Sequence, residues 1–166
     1  MTIRNTLFLA VACAAAGLSA PALAQGLITE QRLSAALVNE ALGAAVAACA
    51  ASGYKVTAVI LDMDGVRQGM LRGDGAGIHT ADSSFMKAYT SVTYRADTLD
   101  LEKNLKNGQM SLLQTKLPNI AVAGGALSIK VNGVAIGAIG VGGAPGGDKD
   151  AACAQAGLDK IRDRMK

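Results

Sequence analysis

Aromatic residues are scarce in this chain, and the scarcity limits both its core and its ligands. The 166 residues contain no Trp, three Tyr and two Phe. Platforms that stack nucleic-acid bases need several exposed rings, so we do not expect one here. The core must be built from Ala, Val, Ile and Leu, in a composition that is 51% hydrophobic.

Charge is also sparse and nearly balanced. Sixteen Lys and Arg residues against 13 Asp and Glu give a formal net charge of +3, without a basic stripe or a polybasic tail. Nucleic-acid binding draws on clustered cations that neutralise phosphates. Nucleic acid is therefore not an expected partner.

The first 24 residues have the three parts of an export signal. Arg4 supplies the positive start, residues 7–18 the apolar stretch, and Ala22-Leu23-Ala24 the small-residue cleavage site. No later segment reaches about 18 uninterrupted apolar residues, so no membrane span is expected after cleavage. We predict a periplasmic or secreted protein in which residues 25–166 form a single domain.

Cysteine and histidine are too few for a metal cluster. Cys13 lies in the export signal, which leaves Cys49 and Cys153, and His79 is the single histidine. Zinc sites need several such ligands close together, and none is predicted. In an oxidising compartment Cys49 and Cys153 could form a disulfide between the first and last helices, or they could remain buried free thiols.

Hydrophobic periodicity predicts an antiparallel α+β sandwich. Two hairpins alternate with helices, and the second hairpin turns at Asn132-Gly133, a dipeptide typical of type I′ turns. We expect the first helix to be capped by Thr29 and the last by Asp148. The predicted elements are a helix over 29–52, strands over 55–62 and 66–72, helices from about residue 80 and over 98–107, strands from residue 120 to 131 and over 134–141, and a final helix from residue 148.

The strongest chemical candidates surround the glycine-rich bend at residues 73–77. His79 follows this bend at a helix start, where a neutral imidazole could ligate iron or another metal. Arg72 and Lys87 could neutralise carboxylates of a ligand, and Met86 could line an apolar pocket. Each also has a commoner structural role, such as helix entry, a surface ion pair or core packing.

Catalytic motifs do not emerge from the sequence. The glycine-rich run at residues 140–147 fits neither dinucleotide-binding nor phosphate-loop spacing, and no GxSxG is present. We therefore do not expect an enzyme.

Two blocks, GDGAGIHTADSSFMKAYTSVTYRADT and GGALSIKVNGVAIGAIGVGGAPGGDKDAACAQAGLDKI, resemble the GlcG/HbpS haem-binding family. Members often have Gly-Pro-His-Thr where this chain has Gly77-Ile78-His79-Thr80, so the histidine is retained and the proline is not. The resemblance implies a profilin-like or PAS-like sandwich, with an antiparallel sheet of about five strands flanked by helices, in a homo-oligomer.

The resemblance also implies an exported protein that senses, stores or handles haem. His79 would be the axial ligand of the iron in haem b, Phe85 or Met86 would give apolar contact, and Arg72 or Lys87 would meet a propionate. Few aromatics could enclose a porphyrin, so the site is expected to be shallow or shared between subunits. The alternative is a sensor or accessory module that binds an organic acid or another small molecule without haem.

Overall fold

The sheet is formed by two antiparallel hairpins that meet along their inner strands. The computed structural model describes residues 26–165, so the predicted export signal lies outside the described residues. Within them the sheet has four strands rather than about five, all antiparallel. The strands are β1 (Thr57–Asp62), β2 (Arg67–Arg72), β3 (Ala126–Val131) and β4 (Val134–Gly142), in the spatial order β2-β1-β4-β3.

Helices cover both faces of this sheet, which confirms the predicted α+β sandwich. The first and last helices pack on one face, and the second packs on the other across β1 and β4. The helices are α1 (Ala35–Ala51), α2 (His79–Tyr94), α3 (Thr98–Lys106) and α4 (Gly147–Ile161), with short 3₁₀ helices at Leu112–Lys116 and Arg162–Arg164. None of the helices in the described residues is long and apolar enough to cross a membrane.

The central strand β1 is buried along its whole length because both of its faces are covered. Ala58 and Ile60 belong to the cluster beneath α1 and α4, whereas Val59 and Leu61 belong to the cluster beneath α2. Alternate residues of a strand point to opposite faces. A strand buried on both sides therefore appears in the sequence as a continuous apolar run.

Glycines allow the helices to approach closely where the core has no aromatic residues. A Cβ added at Gly140 of β4 would lie 2.9 Å from the Ala88 Cβ and would also collide with the Ser84 carbonyl of α2. A Cβ at Gly157 of α4 would lie 2.6 Å from the Ala41 carbonyl oxygen of α1. Glycine in β4 therefore allows the backbone of α2 to approach the strand closely.

A disulfide joins α1 to α4. Cys49 and Cys153 are bonded, with their Cα atoms 5.5 Å apart and a sequence separation of 104. Both cysteines are buried. Of the two alternatives left open by the sequence, the structure contains the bond.

The first helix is shorter than predicted and is not capped by Thr29. It begins at Ala35, because the Ser34 hydroxyl accepts a hydrogen bond from the Leu37 N–H at 3.4 Å and caps the helix there. Leu33, just before the cap, is buried in the same cluster as Val38 in the first turn. This arrangement corresponds to a hydrophobic staple and fixes the chain at the helix start.

The second hairpin begins at Ala126 rather than at residue 120. Upstream, side chains satisfy the backbone donors that a strand ladder would otherwise use. The Ala121 N–H donates to the Thr90 Oγ1 at 2.8 Å, and the Gly124 N–H donates to the Glu102 Oε2 at 2.8 Å. The turn itself was predicted correctly: Asn132 and Gly133 have φ values of 51° and 80°, and a type I′ turn requires both to be positive.

The last helix is also capped differently from the prediction. Gly146 occupies the N-cap position, and Asp148 lies in the first turn, where a carboxylate favours the helix dipole. Asp150 ties the preceding loop to the helix, since its Oδ1 accepts the Ala144 N–H at 3.0 Å. Glycine is a common N-cap residue, but the nearby Asp148 was predicted as the cap instead.

Candidate functional site

The start of α2 is anchored to the sheet by two buried threonines. The hydroxyls of Thr57 in β1 and Thr80 in α2 lie 2.7 Å apart, and the Thr80 hydroxyl also donates to the Gly77 carbonyl at 2.6 Å. The bend before α2 is closed by Arg72, whose Nε donates to the Ala76 carbonyl at 2.9 Å and whose Nη2 contacts the same oxygen. Hydrogen bonds on both sides therefore fix the bend around which the sequence predicted a ligand site.

His79 is the first residue of α2 and is exposed to solvent. Its imidazole lies over Gly77: a Cβ built at Gly77 would be 2.7 Å from the ring Cε1 and 2.9 Å from Nδ1. Glycine at this position leaves the space that the ring occupies. Because His79 is exposed, its imidazole is within reach of a ligand that approaches from outside.

Beside the helix start, edge strand β2 contributes cations and exposed apolar groups. The Arg67 guanidinium carbon lies 4.0 Å from the centre of the Phe85 ring, a cation–π arrangement. Met70 and Arg72 pair with Val59 and Thr57 of β1, which face α2, so they lie on the α2 side of the sheet.

Two exposed apolar side chains complete this region. Met70 is 50% exposed and Ile78 is 81% exposed. Ile78 and Phe85 are seven residues apart and share one side of α2. We call this region the α2–β2 surface, formed by Arg67, Met70, Arg72, Ile78, His79 and Phe85.

Arg67 was missed by the sequence analysis because a β-bulge hides its orientation. Simple alternation from Met70 and Arg72 would place Gln68 on the α2 side. The register between β1 and β2 shifts after Ile60, so that Leu61 pairs with Arg67. An inserted residue of this kind turns the following side chains to the other face.

Lys87 lies on the opposite flank of α2, away from Arg72. Its Nζ is 2.7 Å from the Asp150 Oδ2 of α4 and 3.3 Å from the Val141 carbonyl oxygen, and the two charged side chains are only 11% and 3% exposed. Burial raises the pKa of the Asp150 carboxyl, although the Lys87 ammonium and the Ala144 N–H both favour its charged form. Lys87 thus connects α2 to α4 in a buried ion pair.

The predicted site residues therefore fall into three groups. His79 and Met86 are seven residues apart on one side of α2, and Met86 is half-buried. Phe85 and Arg72 lie toward β2, and Lys87 lies toward α4. The structure places Arg72 at the bend before α2, Phe85 on the β2 side of α2 and Lys87 beside Asp150 of α4.

Four cavities in the described part of the chain lie away from His79. One of about 770 Å³ lies at the end of the sheet near the Asn132-Gly133 turn, and three others have volumes of about 280 to 330 Å³, two of which share walls with the first. None of these four is lined by His79. Within residues 26–165 no group of three or more His, Cys, Asp or Glu side chains could hold a metal ion.

Comparison with known families gives a decisive match. Residues 33–159 match the family model described as haem degrading protein HbpS-like. The chain belongs to the HbpS-like family. This membership confirms the resemblance that the two sequence blocks carry.

Solved structures agree with the family assignment. A double mutant of HbpS from Streptomyces reticuli is 33% identical to this HbpS-like chain, with a TM-score of 0.75, over 86% of this chain and 97% of that one. Another HbpS structure is 31% identical, with a TM-score of 0.76, over 84% and 97%. Comparison with curated protein sequences gives no significant match.

A more distant neighbour is a complex of PduOC with haem. It is 22% identical, with a TM-score of 0.72, over 79% of this chain and 96% of that one. At this identity the likeness establishes only the fold of the HbpS-like chain. The family description concerns haem, which supports a haem-related role.

Proposed function

We propose that this protein is exported and binds haem b, with His79 as an axial ligand of the iron. The observation that carries the proposal is the exposed imidazole at the first turn of α2, next to the α2–β2 surface. Imidazole is a common ligand of haem iron. The family description and the haem-bound neighbour support haem as the ligand.

The α2–β2 surface has the chemistry that a haem needs around its iron. Met70, Ile78 and Phe85 offer apolar contact to a flat macrocycle. Arg67 and Arg72 flank them, and guanidinium groups bind carboxylates with paired hydrogen bonds. We assign the propionates to these arginines rather than to Lys87, whose ammonium already binds Asp150.

The exposure of this surface suggests that a second copy of the chain covers it. Ile78 is 81% exposed, and Phe85 is the one aromatic residue among the six that form this surface. Haem bound there would be open to water on one side. We therefore propose a homo-oligomer in which haem lies between subunits, and in which the protein holds haem for sensing, storage or transfer.

Haemin titration tests the iron ligand. Wild-type protein should give a Soret band that His79→Ala lacks, whereas Arg67→Gln and Arg72→Gln should keep the band and weaken the affinity. Thr93→Ala, at the exposed far end of α2, is the matched control and should bind haem like the wild type. An unchanged spectrum in His79→Ala would remove His79 from the role.

Two further measurements test whether the protein is exported and whether it degrades the haem that it binds. N-terminal sequencing of the protein recovered from the periplasm or medium should begin at Gln25. When a reductant is added, the Soret band of the haem complex should shift as the iron is reduced and should not be lost. Progressive loss of the band with release of iron would show haem degradation and would contradict a purely binding role.

A further inference from the structure

We propose that the cavity near the Asn132-Gly133 turn is a second ligand site, which binds a small organic acid with an apolar body. Its volume of about 770 Å³ is within the range typical of small-molecule sites. The residue after β1, the end of α2, the β3–β4 hairpin and the segment before α1 all contribute to its walls. These walls are formed by residues 29–31, Met63, Arg95 and residues 130–136.

This site is distinct from the proposed haem site. His79 begins α2 and Arg95 follows its last residue, so the 16-residue helix separates them. At about 1.5 Å per residue, the two ends of α2 are roughly 24 Å apart. A small ligand cannot touch both ends.

The charges and the apolar lining indicate the ligand class. Arg95 and Lys130 contribute two positive charges, and Glu30 contributes one negative charge, so the lining carries a net positive charge. Val131 and Ile136 are buried and apolar. A carboxylate between the two cations, with a hydrocarbon body over these side chains, satisfies both features.

The backbone at Arg95 supports a role for its side chain. Arg95 has φ 53° and ψ 36°, the left-handed conformation, and its N–H caps α2 by donating to the Ser91 and Val92 carbonyls. Glycine usually occupies such a position because it has no Cβ to strain the backbone. Arginine here suggests that a guanidinium at the cavity matters more than an unstrained helix end.

Lys130 lies opposite an irregular part of β4. Ile129 pairs with Gly137 and Lys130 pairs with Ala135, so Ile136 of β4 is the extra residue of a bulge at this end of the sheet. The rigid turn at Asn132-Gly133 follows directly. The backbones of Arg95 and Lys130 thus belong to a helix end and to a strand, and both side chains are exposed at the cavity.

A comparison of octanoate with octanol separates binding of the ligand's carboxylate from binding of its hydrocarbon chain. Titrated into the full protein, octanoate should bind saturably and shift the amide NMR signals of Arg95 and residues 131–136, and octanol should bind far more weakly. Arg95→Gly should weaken octanoate binding about tenfold or more, as expected for a lost charged hydrogen bond. Lys130→Gln should weaken it similarly.

Control variants distinguish binding at this cavity from general effects of a substitution on stability or net charge. Arg95→Gly removes backbone strain, so its melting temperature should not fall. Lys116→Gln, which changes the same charge at an exposed position outside the cavity, and His79→Ala should both bind octanoate like the wild type. The proposal is overturned if millimolar octanoate does not bind saturably, if octanol binds equally well, if Arg95→Gly keeps full affinity, or if the shifted signals belong to the α2–β2 surface.

Discussion

Opening the Cys49–Cys153 bond should remove a large part of the stability of this fold. The bond closes a loop with a sequence separation of 104 residues. In the chain-entropy model a loop of this length stabilises the folded state by about 4.7 kcal/mol at 25 °C, because it restricts the unfolded chain. Domains of this kind have a total stability of about 5 to 15 kcal/mol. The reduced protein should therefore lose from about a third to nearly all of its stability.

Reduction isolates this effect better than mutation. Both cysteines are buried, and the two thiols can still fill their places as small apolar side chains. The protein would be reduced while unfolded, refolded in reductant and compared with the oxidised form by urea denaturation. We expect the free energy of unfolding to fall by about 4 to 5 kcal/mol. The m-value should rise, since the reduced unfolded chain exposes more surface.

Two results would refute this reasoning. A difference below about 1 kcal/mol between the oxidised and reduced forms would show that the loop constraint does not control stability. Mass spectrometry of the purified protein that finds two free thiols would show that the bond is not formed. Cys49→Ala with Cys153→Ala is the genetic counterpart, and it should lose at least as much stability because it also removes buried sulfur.

The remaining predictions concern the packing around α2. Lys87→Met should cost about 3 to 5 kcal/mol, because it leaves the buried Asp150 carboxylate without its partner. The folded-state pKa of Asp150 is already raised by burial and should rise further in this variant. The loss of stability relative to the wild type should therefore shrink as the pH falls through this raised pKa. Urea denaturation at several pH values would detect the change, and a loss that is independent of pH would contradict the prediction. Gly140→Ala should cost about 1 to 3 kcal/mol by overpacking, since its Cβ would lie 2.9 Å from the Ala88 Cβ. Gly43→Ala in α1, where nothing lies within 4 Å, is the control and should gain about 0.5 to 1 kcal/mol; equal thermal stability of the two variants would contradict this prediction.

Much of the architecture could be predicted from local patterns. Three patterns determine structure through neighbouring residues: the continuous apolar run of β1, the glycine bend and the Asn132-Gly133 turn. The structure has a hairpin strand at the first, a helix start after the second and a tight turn at the third. The element boundaries were less predictable. Ser34 was overlooked as a cap, and the backbone donors before β3 are satisfied by Thr90 and Glu102, which are distant in sequence.

The residues of the candidate site were likewise predictable only where they lie close together in the sequence. His79 and Arg72 lie beside a bend that is visible in the sequence, so they were found together. Arg67 was not found, because a bulge in the β1–β2 pair decides which side of β2 it faces. Lys87 was grouped with the glycine bend, but its contact with Asp150 arises only in the folded chain, where α2 and α4 lie on opposite faces of the sheet.

By itself, the sequence determined the order of helices and hairpins, the family and the position of the one imidazole, because these depend on residues close together in the chain. The tertiary structure alone decided that Cys49 meets Cys153, that Lys87 is buried against Asp150, and that Arg95 and Lys130 line one cavity. Each of these pairs joins residues more than 30 positions apart. Only the packing of the helices on the sheet and the registers of its strands bring such residues together.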